Sequence, residues 1–270
     1  MENAAFIVWR ESVEALLVVG ILHGFLDKSG WQAGKRWLWS GVGAGLVLAG
    51  LLAAAIRLAQ SELAGQALDG FNTAIVLLAA GLIVQMVVWM RRHGAGLKRE
   101  LEAGAAKAAS ASSGLGMAAL AAIAVAREGA ETVVFLQGVA STGQGDMLLG
   151  AGLGFALALA TFWLLSHGAR WISWRLFFRV SEVLLLLLAC ALLTDGIDRL
   201  IGMEWLPPLG DQIWNASWLL DDGSPAGALV ASFTGWRARP AGMDVLTWAA
   251  FWSLSAWLLW GAARLRGSRA

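Results

Sequence analysis

The sequence predicts an all-α protein that crosses a bilayer seven times. Of its 270 residues 58% are hydrophobic and only 14% charged, with a positive mean hydropathy, which is far from the make-up of a soluble domain. Seven separate stretches reach the about 20 apolar residues that a helix needs to cross a hydrocarbon core roughly 30 Å thick. None of them alternates in the manner of a barrel strand. A backbone without water must satisfy its own polar groups, so these stretches are read as helices.

The first span is expected over residues 4–26. Its apolar run is broken by Arg10, Glu11 and Glu14 and is preceded by no basic leader or cleavage signal, so it is expected to stay in the mature chain. The second and third follow over 38–59 and 71–90. The segment 91–116, with its AAKAASASSG run, reads as a flexible connection without chemistry. The fourth span, 117–139, again holds charge, at Arg127, Glu128 and Glu131. The fifth covers 147–168 and the sixth 178–199. The sixth contains Cys190, the one cysteine, which excludes an internal disulfide. Segment 200–243 holds all four prolines and several tryptophans; it is too interrupted to span and apolar enough to lie on or dip into the membrane, where it would lid an entrance. The seventh span covers 244–263 and ends in a basic tail. The chain is thus one integral membrane domain, divided as 1–90, 91–116, 117–199, 200–243 and 244–270.

Charge placement gives an orientation. Fourteen of the 20 Lys and Arg, Arg170 and Arg269 among them, fall on the side of the membrane that follows spans 1, 3, 5 and 7. By the positive-inside rule the N-terminus lies outside and the C-terminus in the cytoplasm. The outer side is acidic, with Glu62, Asp69, Asp146, Asp195 and Asp198 near span ends, which would concentrate cations. A net charge of +1 gives no sign of a nucleic-acid partner.

The segment RESVEALLVVG at 10–20 resembles REGAETVVFLQ at 127–137, 117 residues later. Three spans fit within that offset, and an odd number turns the second unit upside down. Spans 1–3 and 4–6 therefore read as two inverted three-helix repeats, with the seventh helix an addition.

Ionisable groups at membrane depth are costly and point to function. The two glutamates of each motif are three residues apart and share a helix face, while Arg10 with Glu14, and Arg127 with Glu131, stand four apart on an adjoining one. At about 1.5 Å per residue, counted inward from residues 4 and 117, Glu11 is level with Glu131 and Glu14 with Glu128. Four carboxylates can meet there. Their oxygens suit a hard cation, and no thiolate or imidazole lies at that depth. Four glutamates with two arginines leave a charge of −2, which an incoming ferric or divalent ion brings close to neutral. Arg–Glu pairs that merely tie helices together would not need two glutamates in each half.

The paired R-E-x-x-E motifs resemble the signature of the oxidase-dependent high-affinity iron permeases of bacteria and fungi. The likeness extends through VVWMRRHGAGLKREL at 87–101 and DQIWNASWLLDDGSPAGALVASFTGWRARP at 211–240. It departs at Ser12 and Val13, at Gly129 and Ala130, and at Trp236, none of which is a ligand position. The resemblance implies seven spans in a bacterial cytoplasmic membrane, an outside N-terminus, and iron bound in passage by Glu11, Glu14, Glu128 and Glu131 beside Arg10 and Arg127. It implies iron, ferric by expectation, as transported substrate with no resident cofactor, and a periplasmic ferroxidase or copper protein as partner. It does not imply an enzyme.

Weaker candidates for entrance or exit are Asp69, Asp195 and Asp198 at outer span ends and Glu182 at the cytoplasmic end of the sixth span. Glu182 can equally reach the interface beside Arg179. Two rival functions stand beside iron import: transport of another metal such as manganese or lead, and a membrane di-iron oxidoreductase. The second usually requires Glu-x-x-His, and no histidine lies near either motif.

Overall fold

The computed structural model describes residues 1–94, 96–140, 146–166, 174–210 and 212–267. Arg170 and Arg269 of the basic side, residues 167–168 of the fifth span and residue 211 of the outer segment lie outside them. The described residues form nine helices and no strand: α1 (Glu2–Ser29), α2 (Gln32–Glu62), α3 (Gln66–His93), α4 (Leu97–Ser110), α5 (Gly114–Ala140), α6 (Met147–Ser166), α7 (Trp174–Gly202), α8 (Pro225–Thr234) and α9 (Gly242–Gly267). Each expected span falls on one of the long helices, and all but α6 overrun the apolar stretch at both ends.

Helices α2, α3, α6 and α7 are both long and apolar enough to cross a membrane. Helices α1 and α5 have the length, 28 and 27 residues, but carry the motif charges within their apolar runs.

Two further helices lie between the expected spans, and the first of them changes the sequence reading. The connection 91–116 is not a flexible loop, because its apolar positions recur at helical spacing: Leu101, Ala105 and Ala108 of α4 are buried in a cluster with Val18, Leu22 and Leu26 of α1, Leu38 of α2, and Met117 and Ala121 of α5. Within 200–243, α8 is capped at both ends. The Ser224 hydroxyl accepts from Gly227 N at 3.0 Å, Pro225 opens the first turn, and Gly235 at φ 71° closes the last.

The chain divides into two compact units that cut across the expected repeats. One comprises Met1–Glu62, His93–Leu136 and Asp146–Ser173, and so contains α1, α2, α4, α6 and most of α5. Its helices pack through small residues, as membrane helices do when backbones approach closely. A Cβ on Gly41 would overlap the Ala118 carbonyl, and one on Gly45 would press on Val125 and the Ala122 carbonyl, so α2 lies directly against α5. In the same way Gly150 meets the Met1 carbonyl and Gly154 the Ala5 carbonyl, which seats α6 on α1. The two contacts correspond. Met1 and Ala118, and Ala5 and Ala122, stand 117 residues apart, the separation of the two motifs, while Gly41 and Gly150, and Gly45 and Gly154, both stand 109 apart.

The other unit comprises Leu63–Arg92, Gln137–Gly145 and Trp174–Ala270. In it α7 packs against α8 and α9. Gly196 of α7 sits against Leu77 of α3, and Gly235, at the end of α8, lies on Ala191 and Thr194 of α7.

Candidate metal centre

Both motifs lie in the first unit, on α1 and α5, and the small-residue contacts set how closely they approach. Within the second motif itself Gly129 faces Ala49 of α2, whose Cβ would be 2.6 Å from any Cβ placed there, so a larger residue would push α5 outward. On the other flank, Trp9 Nε1 donates to Thr161 Oγ1 at 2.9 Å, tying the turn before Arg10 to α6.

The two motifs then differ. Arg10 is almost wholly enclosed, its side chain 3% exposed; its Nη1 donates to Glu11 Oε1 at 2.8 Å, and its Nη2 forms an ion pair with Glu14 Oε1. Arg127 is 43% exposed and donates from Nε to Glu131 Oε1 at 3.0 Å.

Glu11, Glu128 and Glu131 each present a carboxylate oxygen, and these three atoms lie within 4.8 Å of one another. Glu11 Oε2, Glu128 Oε2 and Glu131 Oε2 are all buried and accept no hydrogen bond. Desolvated carboxylate oxygens without a donor are expensive, and a cluster of them is a demand for positive charge. The predicted levels bring Glu11 to Glu131. Glu128 joins them as well, whereas Glu14 is outside the trio, its buried Oε1 in an ion pair with Arg10 but accepting no hydrogen bond. All four carboxylates remain within electrostatic range of one another.

The weaker candidates occupy the other unit, where three of the four are tied by arginine. Glu182 pairs with Arg91 of α3 rather than with Arg179 on its own helix. Asp195 accepts from Arg199 Nε at 2.8 Å, one turn along α7. Asp198 accepts from Nη2 and Nε of Arg237, at 2.7 and 3.2 Å, and so anchors the chain after α8 to α7. Burial works against the charge on Arg237, but its bonds to Asp198 outweigh this and hold the guanidinium above its usual range. Asp69 sits in the first turn of α3, where a carboxylate favours the helix dipole.

Two features escaped the sequence reading. Arg91 and Arg237 were counted only as loop charge, and nothing local links either to a partner 91 or 39 residues away. The Gly-x-x-x-Gly-x-x-x-Ala runs at 41–49 and 150–158 are legible as close-packing signals and mark which helices touch.

Residues 1–263 match the iron permease FTR1 family. An uncharacterized protein of Archaeoglobus fulgidus is 31% identical over 201 residues, covering 74% of this chain and 70% of its own. The ferrous iron permease EfeU of Escherichia coli O6:H1 is 27% identical over 90% of this chain and 89% of its own. The EfeU of Yersinia pestis is 28% identical over 88% and 86%. No solved structure matches the chain.

Proposed function

The chain belongs to the FTR1 iron permease family, and from that premise we propose that it imports iron through the carboxylates its two motifs bring together. One observation carries the reading: three carboxylates drawn from both motifs bring an oxygen each within 4.8 Å of one another, and each also holds a buried oxygen without a hydrogen-bond donor. Glu11, Glu128 and Glu131 receive the ion with Glu14 adjoining, while Arg10 and Arg127 limit the negative charge.

The seven spans of this reading are α1, α2, α3, α5, α6, α7 and α9, with the N-terminus outside, the C-terminus in the cytoplasm and α4 lying on the cytoplasmic side. The inverted repeat pairs α1 with α5, α2 with α6 and α3 with α7. It draws support from the correspondence between the α1–α6 and α2–α5 contacts, residue for residue at one offset on each side. Asp69 serves at the entrance. Asp195, Asp198 and Glu182 pass an ion only by surrendering an arginine, so they act chiefly as ties.

The oxidation state has two readings. The family resemblance favours a ferric ion handed over by an oxidising extracytoplasmic partner. The curated relatives are named ferrous iron permeases, and a site of charge −2 is balanced by a ferrous ion. Uptake of radioactive iron into proteoliposomes separates them when ferrous iron under ascorbate is compared with ferric citrate, with and without a ferroxidase. Import that fails with every form of iron, or that survives Glu11→Gln and Glu131→Gln unchanged, overturns the proposal.

A further inference from the structure

Four glutamates of the same motif type do not occupy four equivalent places. Arg10 stands between Glu11 and Glu14, with one guanidinium nitrogen on each carboxylate, and is 3% exposed. Glu14 contributes no atom to the trio that converges within 4.8 Å, although it lies one turn from Glu11 on the same helix. Its oxygen faces Arg10 instead.

We propose that Glu14 is a positioning residue: it draws one edge of the Arg10 guanidinium away from Glu11 Oε2 and Glu128 Oε2, leaving these two oxygens open for the ion. This rests on the iron-site reading above. A guanidinium carries five donors in a fixed plane and seeks carboxylate oxygens on more than one edge. Glu128 already lies within the electrostatic reach of Arg10. If Glu14 is removed, Glu11 and Glu128 are the other glutamates whose charges act on Arg10, and each holds a buried Oε2 that has no donor of its own. Arg10 then competes with the metal as an internal cation. With Glu14 in place, one of its edges is occupied and the competition is suppressed.

The same geometry assigns the charge. Glu14 and Arg10 cancel, so the trio presents its own charge to the ion from a setting in which the neighbouring pair is neutral. Removing both members of that pair leaves the trio's charge unchanged, whereas removing Glu14 alone adds an uncompensated cation beside it.

The test is anaerobic binding of radioactive ferrous iron to the purified full-length protein in detergent, measured by equilibrium dialysis. Glu14→Met is expected to weaken binding by about tenfold or more, because Arg10 then competes with the ion for the oxygens of Glu11 and Glu128. The double variant Arg10→Met/Glu14→Met is expected to return to within about threefold of the unaltered protein, since near-isosteric apolar replacement of a buried pair is tolerated. Glu128→Met and Arg10→Met/Glu128→Met set the level of binding with one ligand lost, and the second change gives no rescue there. If the Glu14 single variant fails to fold, the double variant against the two Glu128 variants still decides the matter. A double variant no tighter than Arg10→Met/Glu128→Met makes Glu14 a ligand and overturns the proposal. No binding by the unaltered protein overturns the iron-site reading itself, and the positioning role with it.

Discussion

The two motifs have the same residues at the same spacing, yet α1 holds a closed arrangement and α5 an open one. On α1, Arg10 is enclosed and ties both glutamates of its own motif. On α5, Arg127 is 43% exposed and its Nε bonds Glu131, while Glu128 keeps a buried oxygen without a donor. The same five-residue pattern thus encloses its arginine between both glutamates in one place and leaves it half-exposed on one glutamate in the other, although each motif contributes to the trio. The difference comes from the surroundings: Trp9 and Thr161 fix the turn ahead of Arg10, and α5 bears on α2 through Gly129 and Ala49. A repeat in sequence specifies which groups are at membrane depth, and packing specifies what each does.

Removal of the arginines should break the comparison most sharply. Arg10→Ala leaves Glu11 and Glu14 buried without a counter-charge and is expected to cost about 3–5 kcal/mol, read as a lowered denaturation midpoint in detergent. Arg127→Ala, at a partly exposed pair, is expected to cost only about 0–1 kcal/mol. Equal losses would contradict the asymmetry. The small-residue contacts should behave alike in both halves. Gly45→Leu and Gly154→Leu each force a side chain into a neighbouring backbone, and each is expected to cost about 1–3 kcal/mol, with a matching fall in the yield of monodisperse protein. A large effect at only one of them would argue against equivalent helices. Smaller still is Arg91→Ala, which releases Glu182 from a partly exposed pair at about 0.2–1 kcal/mol and should leave iron uptake near that of the unaltered protein.

Much of this was legible in the residues themselves. Seven long helices follow from seven apolar runs, and the motif glutamates stand out because charge inside such a run is costly. Helix α4 was hidden because its buried face is made largely of alanine, at Ala105 and Ala108, so the segment's Ser, Ala and Gly content masks a helical spacing. Helix α8 was hidden by its prolines, although Ser224-Pro225 at one end and Gly235 at the other are start and stop signals. The composition of the centre was only half legible. Counting residues gives depth along each helix, and so links Glu11 with Glu131, but it does not give rotation about the axis. That rotation brings Glu128 into the trio and turns Glu14 onto Arg10.

Iron K-edge X-ray absorption on the iron-loaded, purified protein tests the shared centre most directly. The account predicts one iron per chain in an all-oxygen shell, with both Glu11→Gln and Glu131→Gln losing most of the bound metal because α1 and α5 hold it jointly. Nitrogen or sulfur ligands, or full retention of iron when either glutamate is replaced, would contradict it.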